Sequence, residues 1–194
     1  DLVSEWKRQS SRYIKLGFAR ELGLSKEDYL ASLPKFEPQP ESFRGRFDIP
    51  VLVETRIAPS RQAEMVGLGY SSRSGLRVSD WENDPKGYKT PDHPYTTWMQ
   101  AGKKNLERNL EYVRGTLALD ERGATEYDGV ALWIANPSVL NDHDIDLPGT
   151  SIEFECAPFL RCWGAWNDRP FVSYHAVDVA CSGCGSASCG RVAT

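Results

Sequence analysis

The sequence predicts a mixed α+β protein. A helical N-terminal arm (1–33) and a proline-rich connector (34–46) precede a single sheet-and-helix domain (47–194) with a strand-rich C-terminal part. Three observations carry this. Apolar residues recur at helical spacing near the start and again around 106–117, short β-branched or alternating runs stand at 49–54 and beyond 150, and prolines and glycines punctuate the boundaries.

In the arm, Val3, Trp6, Ser10, Tyr13, Ile14 and Phe18 fall near one helical face. Ser25 followed by Asp28 reads as the capped start of a second helix, which Pro34, Pro38 and Pro40 stop. Ile49 to Glu54 is a β-branched strand candidate. Pro59 and Ser60 open a helix through Met65, ended by Gly67 and Gly69. A strand is expected over Gly75–Ser79, a long loop over 80–94, and a strand over Tyr95–Met99 with Trp98 facing inward. Leu106, Leu110, Val113 and Leu117 make the clearest helical stripe, read as a face packed on the core. Thr125 with Asp128 forms a capping box for a helix that stops at Pro137, and Gly129 within it implies close packing. Ser151–Cys156 alternates in polarity. Phe159–Trp166 and Phe171–Val179 read as a hairpin around 167–170. The Gly/Ser/Cys-rich tail from Cys181 to Gly190 is not expected to hold regular structure for long.

Composition excludes several classes. The chain of 194 residues carries six tryptophans, eight tyrosines and seven phenylalanines, too many aromatics for a disordered chain. Its longest apolar run spans only the six residues from Val130 to Ala135, against roughly 20 for a membrane helix, so no membrane span is expected. The net charge is −4, and the nine basic residues up to Arg46 face seven acids, a solvated surface and not a nucleic-acid footprint. The five cysteines all lie beyond residue 155, and their odd number reads as reduced thiols in a cytoplasmic protein. Asp1 in place of a methionine points to a trimmed chain or a longer parent. No phosphate-loop, dinucleotide, zinc-protease or serine-hydrolase motif occurs.

Several segments stand in a recognisable order: Ile49–Glu54, Asp92-His93-Pro94-Tyr95, Ala124–Leu132, Pro137-Ser138-Val139-Leu140, Leu147-Pro148-Gly149-Thr150 and Gly185-Ser186-Ala187-Ser188-Cys189-Gly190. Over about residues 40–194 they resemble a family of uncharacterised bacterial proteins, a domain of unknown function ending in a GSASCG-type motif. That resemblance implies a bacterial cytoplasmic protein and supplies no activity, cofactor or catalytic residue. Cys181, Ser182 and Cys184 stand where the family carries tryptophan.

Four constellations could carry chemistry. Cys181, Cys184 and Cys189 with His175 offer thiolates and an imidazole to zinc, as a zinc-binding structural module would, although a second C-x2-C pair is missing. A glycine-rich loop packed under the sheet is the plain structural reading. Asp142, Asp144, Asp146 and Glu153 match positions of a calcium loop, but Leu147 and Pro148 stand where the template needs its turn, so a solvated acidic turn is preferred. Cys189 or Cys162 with His143 or His175, and Asp144 nearby, would serve a cysteine/histidine-dependent hydrolase or transferase, against the plain reading of cysteines as inert core residues. Trp81, Trp98, Trp163 and Trp166 could stack on a ligand or simply fill the core. The favoured expectation is a small-molecule or protein binding module, with contact surfaces on loops 80–94 and 181–190. Its ligand contacts are sought where Asp142–Thr150 and Gly185–Cys189 converge, through Asp142, Thr150, Ser186 and Ser188. The amphipathic arm would support a homo-oligomer.

Overall fold

A computed structural model describes residues 1–71, 78–81, 84, 87–152, 156–161 and 169–191. The architecture is mixed α+β, with six helices and two sheets among the described residues. Helix α1 (Leu2–Lys15) starts where the Asp1 carboxylate accepts the Val3 N–H, and Gly17, at φ 88°, turns the chain into the short α2 (Phe18–Glu21). Ser25 caps α3 (Lys26–Ala31) as its spacing predicts. The expected 34–46 connector is extended at first and ends in a 3-10 turn over Glu41–Phe43. Phe36 and Phe43 are buried, which fastens the connector to the body.

The first sheet has the order β1–β4–β11–β5, from β1 (Ile49–Val53), β4 (Tyr95–Gln100), β11 (Ser188–Gly190) and β5 (Glu121–Gly123), all antiparallel. Its β1 edge is covered by α1. The Gln9 side-chain amide donates to the Pro50 carbonyl (2.8 Å) and accepts from Leu52 N–H (2.9 Å), and the Tyr13 hydroxyl donates to the Leu52 carbonyl (2.6 Å). One glutamine thus substitutes for a neighbouring strand and blunts an apolar edge. Tyr13, Phe18 and Tyr29 are fully buried in the same core as the sheet, so the arm is folded on its own body. Trp98 does not face inward. The two-residue period of β4 buries Thr97 and Met99 instead, and the Trp98 indole lies near the surface, donating to the Glu37 carbonyl.

The second sheet is mixed and centres on β8 (Cys156–Arg161). Along one edge β8 pairs with β9 (Phe171–Ala176), the expected hairpin, whose connecting residues 162–168 lie outside the described residues. Along the other edge it pairs with β6 (Asp144–Asp146) and β7 (Thr150–Ile152) in turn. β3 (Val78–Asp80) adds beside β7, β2 (Gly69–Tyr70) beside β9 in parallel, and β10 (Cys184–Ser186) beside β6 in parallel. Of the strand expected at 75–79, residues 75–77 fall outside the described set, as do Glu153, Cys162, Trp163 and Trp166.

The tail overturns its expectation. Cys181–Gly190 supplies a strand to each sheet, β10 and β11, and both are largely buried. Small side chains are needed there because Gly190 lies against the Phe43 ring and Gly185 against the backbone of Gly102. Ala187, between the two strands, donates to the Asp146 carbonyl and accepts from Ala124 N–H, strapping one sheet to the other. The 106–117 stripe is only partly helical: α5 (Leu110–Thr116) begins at its Asn109 cap, while Leu106 stays exposed, bridged to Gly185. Glu107 at φ 57° breaks the helical path before Asn109.

Between the sheets lies α6 (Glu126–Ala135), packed on β1 and β8 and buried almost all round. The Thr125/Asp128 capping box is present, and a Cβ at Gly129 would stand 2.6 Å from a Leu147 methyl, the close packing its glycine implied. Helix α4 (Pro59–Met65) starts at its proline and ends before Gly67, at φ 77°. No helix among the described residues is long and apolar enough to cross a membrane.

Candidate ligand pocket at the start of helix α6

Zinc ligation by His175, Cys181, Cys184 and Cys189 does not assemble. Cys181 and Cys184 are joined as a disulfide, which removes both thiolates and corrects the expectation of reduced thiols for that pair, while Cys189 keeps its thiol. His175 instead bonds Asp146 through Nε2 (2.8 Å) and the Ala176 carbonyl through Nδ1 (2.9 Å). Burial works against its charge, but Asp146 and that carbonyl more than offset it and raise the imidazole above its ordinary range. No group of three or more metal-ligating side chains occurs among the described residues.

A thiol–imidazole pair does not form either. Cys189 is fully buried on β11, and burial pushes its thiol up, away from the thiolate a nucleophile needs. His143 holds the Ala101 carbonyl through Nε2 (2.7 Å), and among the described residues no hydrogen bond joins Cys189 to His143 or His175. Asp144 pairs with Arg161 at 3.3 Å, and Asp142 is exposed. The acidic run is a strand and not a solvated turn, since Asp146 is buried and takes the Ser186 hydroxyl. The segments expected to converge do so, but as a β-ladder: Asp144, Ile145 and Asp146 face Cys184, Gly185 and Ser186 in the parallel pair. Ser186 and Ser188 are fully buried inside these sheets. Trp81 holds the Arg114 guanidinium over its ring.

Of the candidate ligand contacts, Thr150 alone lines the pocket of about 620 Å³ that opens beside α6. Close backbone approach builds this place. A Cβ on Gly123 would sit 2.6 Å from Gly149 N, so two glycines let β5 and the turn before β7 touch. Gly149 N–H then donates to the Ala124 carbonyl (2.8 Å), and Thr150 presents its hydroxyl to Glu126 N–H (2.9 Å) at the first position of α6. Thr55 and Ala58 line the pocket from the turn between β1 and α4, Ser60 from the first turn of α4, Tyr70 from β2, Ser79 and Asp80 from β3, and Thr90, Pro91 and Asp92 from the loop before β4. That loop is anchored by Thr90, whose N–H and hydroxyl both donate to Asp80.

The centre of the site is Glu126, a carboxylate only 2% exposed. Its Oε1 accepts from the Tyr70 hydroxyl (2.8 Å), which accepts in turn from the Tyr174 hydroxyl (2.7 Å). Its Oε2 is buried without a hydrogen-bond partner, as is the Thr55 hydroxyl on the same pocket. Desolvation raises the Glu126 pKa to about 7, against the pull of the two tyrosine hydroxyls. A carboxyl poised there can gain or lose a proton near neutral pH.

Behind the pocket a second buried network is closed. Asp128 takes Arg122 through both oxygens (2.6 and 3.0 Å), the Tyr95 hydroxyl (2.8 Å) and Thr125 N–H (2.7 Å). Burial disfavours its charge, yet Arg122 holds it below the usual carboxylate range. Arg122 also lies over the rings of Tyr88 and Tyr95. With its acceptors filled, this pair serves the fold, whereas Glu126, two residues earlier, keeps an open oxygen.

Sequence reasoning passed over Glu126 because an acid in the first turn of a helix is ordinarily a solvated partner of the helix dipole. The capping box located it. Its burial depends on β2, β7 and β9, which local spacing does not reveal. No protein-family model, curated protein or solved structure matches this chain.

Proposed function

We propose that this protein binds a small polar molecule in the pocket at the start of α6, with Glu126 as the recognition group. The observation that carries the reading is the buried, unpartnered Oε2 of Glu126 on a pocket wall, since a polar atom kept from water without a partner is costly unless a ligand satisfies it. Thr55, with its own unmatched hydroxyl, supplies a second contact. The 87–94 part of the long loop, expected as a contact surface, lines this pocket through Thr90, Pro91 and Asp92. The resemblance to an uncharacterised bacterial family adds no activity to this reading. A disulfide in the tail is more at home in an oxidising compartment than in the reducing cytoplasm expected from the cysteine count.

The test is a fragment screen by amide chemical-shift mapping, with amines, neutral polyols, carboxylates and phosphates as separate arms. Binding in at least one arm, with shifts clustered at Thr55, Glu126, Tyr127 and Thr150, is expected. If no class perturbs those amides, the reading is wrong.

A further inference from the structure

Resting on that reading, we propose that the ligand is a protonated amine, paired with Glu126 as a carboxylate. The acidic side chains lining the pocket are Asp80, Asp92 and Glu126, and no lysine, arginine or histidine lines it among the described residues. Asp80 is committed through both oxygens to Thr90, and Asp92 is fully exposed beside His93. The atoms without a partner on residues that line the pocket are therefore Glu126 Oε2, an acceptor once ionised, and the Thr55 hydroxyl, which can accept as well as donate. An ammonium group brings three donors and no acceptor, and it supplies the countercharge that a buried carboxylate lacks. A phosphate or carboxylate ligand would instead meet like charge, and a neutral polyol would leave the carboxylate without a countercharge.

The field agrees from every side. Burial first, then the Glu126 charge, pushes up the hydroxyls of Tyr70 on β2, Tyr174 on β9 and Tyr127 on α6. Asp80 on β3 and Glu54 at the end of β1 add to the effect on Tyr127. The Glu54 charge is already matched by Arg56, which grips both its oxygens. The Tyr70 and Tyr127 side chains line the same pocket, and aromatic faces add favourable contact with a cation.

Binding then moves one proton. Below neutral pH the free pocket holds Glu126 as the neutral acid. When the ammonium enters, the carboxyl O–H breaks, its proton leaves to solvent, and the carboxylate pairs with the cation. The experiment is calorimetry with n-butylamine, glycerol and butyrate as probes, at about pH 6 in two buffers of different ionisation enthalpy, with amide shifts recorded on the same samples. Butylammonium is expected to bind alone among the three and to release close to one proton, with affinity rising about tenfold per pH unit up to neutrality and then levelling. Glu126→Gln is expected to abolish the release and weaken binding at least tenfold. Should that variant fold poorly, the proton count on the unaltered protein decides the same question. Amine binding with no proton release, or undiminished in Glu126→Gln, overturns the proposal. Glycerol or butyrate perturbing the pocket amides where butylammonium does not would also overturn it, while leaving the pocket itself established. Silence from all three probes overturns the proposal, and silence from every arm of the wider screen removes the pocket reading as well.

Discussion

Glu126, which is buried, and His175, which is half-buried, both make the folded state hold protons more tightly than the unfolded chain does. For Glu126 the carboxyl moves from the ordinary 4.5 to about 7. Between those values the native state binds the extra proton, so the contribution of Glu126 to stability is complete below about pH 4.5 and is lost as pH rises through 7. The loss is on the order of 3 kcal/mol, and Glu126→Gln should flatten it, as read by urea midpoints between acidic and alkaline buffers. His175 acts in the same direction. Its folded pKa is raised, so its contribution is complete below its unfolded value of 6.5 and is lost as pH climbs through the folded one. In His175→Asn the part of the slope above pH 6.5 should shrink, while the part below it, due to Glu126, stays. Arg122 and Asp128 behave differently because they satisfy each other: Asp128→Ala leaves a buried guanidinium alone and should cost about 3–5 kcal/mol in chemical denaturation. Neither Glu126 nor the ion pair announces itself in the sequence, since burial is a property of what surrounds a residue.

Helix α6 is the element on which local sequence and tertiary position agree best. Thr125 and Asp128 cap it reciprocally, and Gly129 admits Leu147. Gly129→Ala would force a methyl onto that leucine and should destabilise by about 1–3 kcal/mol, seen as a lowered thermal midpoint with an unchanged helix signal. The same logic made α1, α3, α4 and β1 legible, because caps, a first-turn proline and a β-branched run act over a few residues. The tail was illegible for the opposite reason. Its glycines, serines and small apolar residues carry no strand preference, and they become strands because only such side chains fit where β10 and β11 meet the other backbones. Trp98 illustrates the limit within a correctly expected strand: the period is readable, but which phase faces the core is set by the sheet's neighbours.

At the scale of the molecule, the arm and the tail hold the two sheets in place from opposite ends of the chain. Gln9 and Tyr13 close the β1 edge, so removal of residues 1–33 should expose it together with its apolar face, and the truncated protein is expected to aggregate under conditions in which the full chain stays monodisperse by light scattering. The Cys181–Cys184 disulfide closes too short a loop to matter as much. By loop-closure entropy, replacing both cysteines by serine should cost no more than about 2 kcal/mol and leave the sheets intact. The sequence by itself determined the mixed α+β class, the order of most helices and the capping of α6, because propensity, capping and periodicity act along the chain. Tertiary structure decided that the arm belongs to the core, that the tail joins both sheets, and that one first-turn glutamate loses its water while keeping an open oxygen. Those outcomes depend on residues far apart in sequence brought into contact, and contact is what sets burial, pairing and charge.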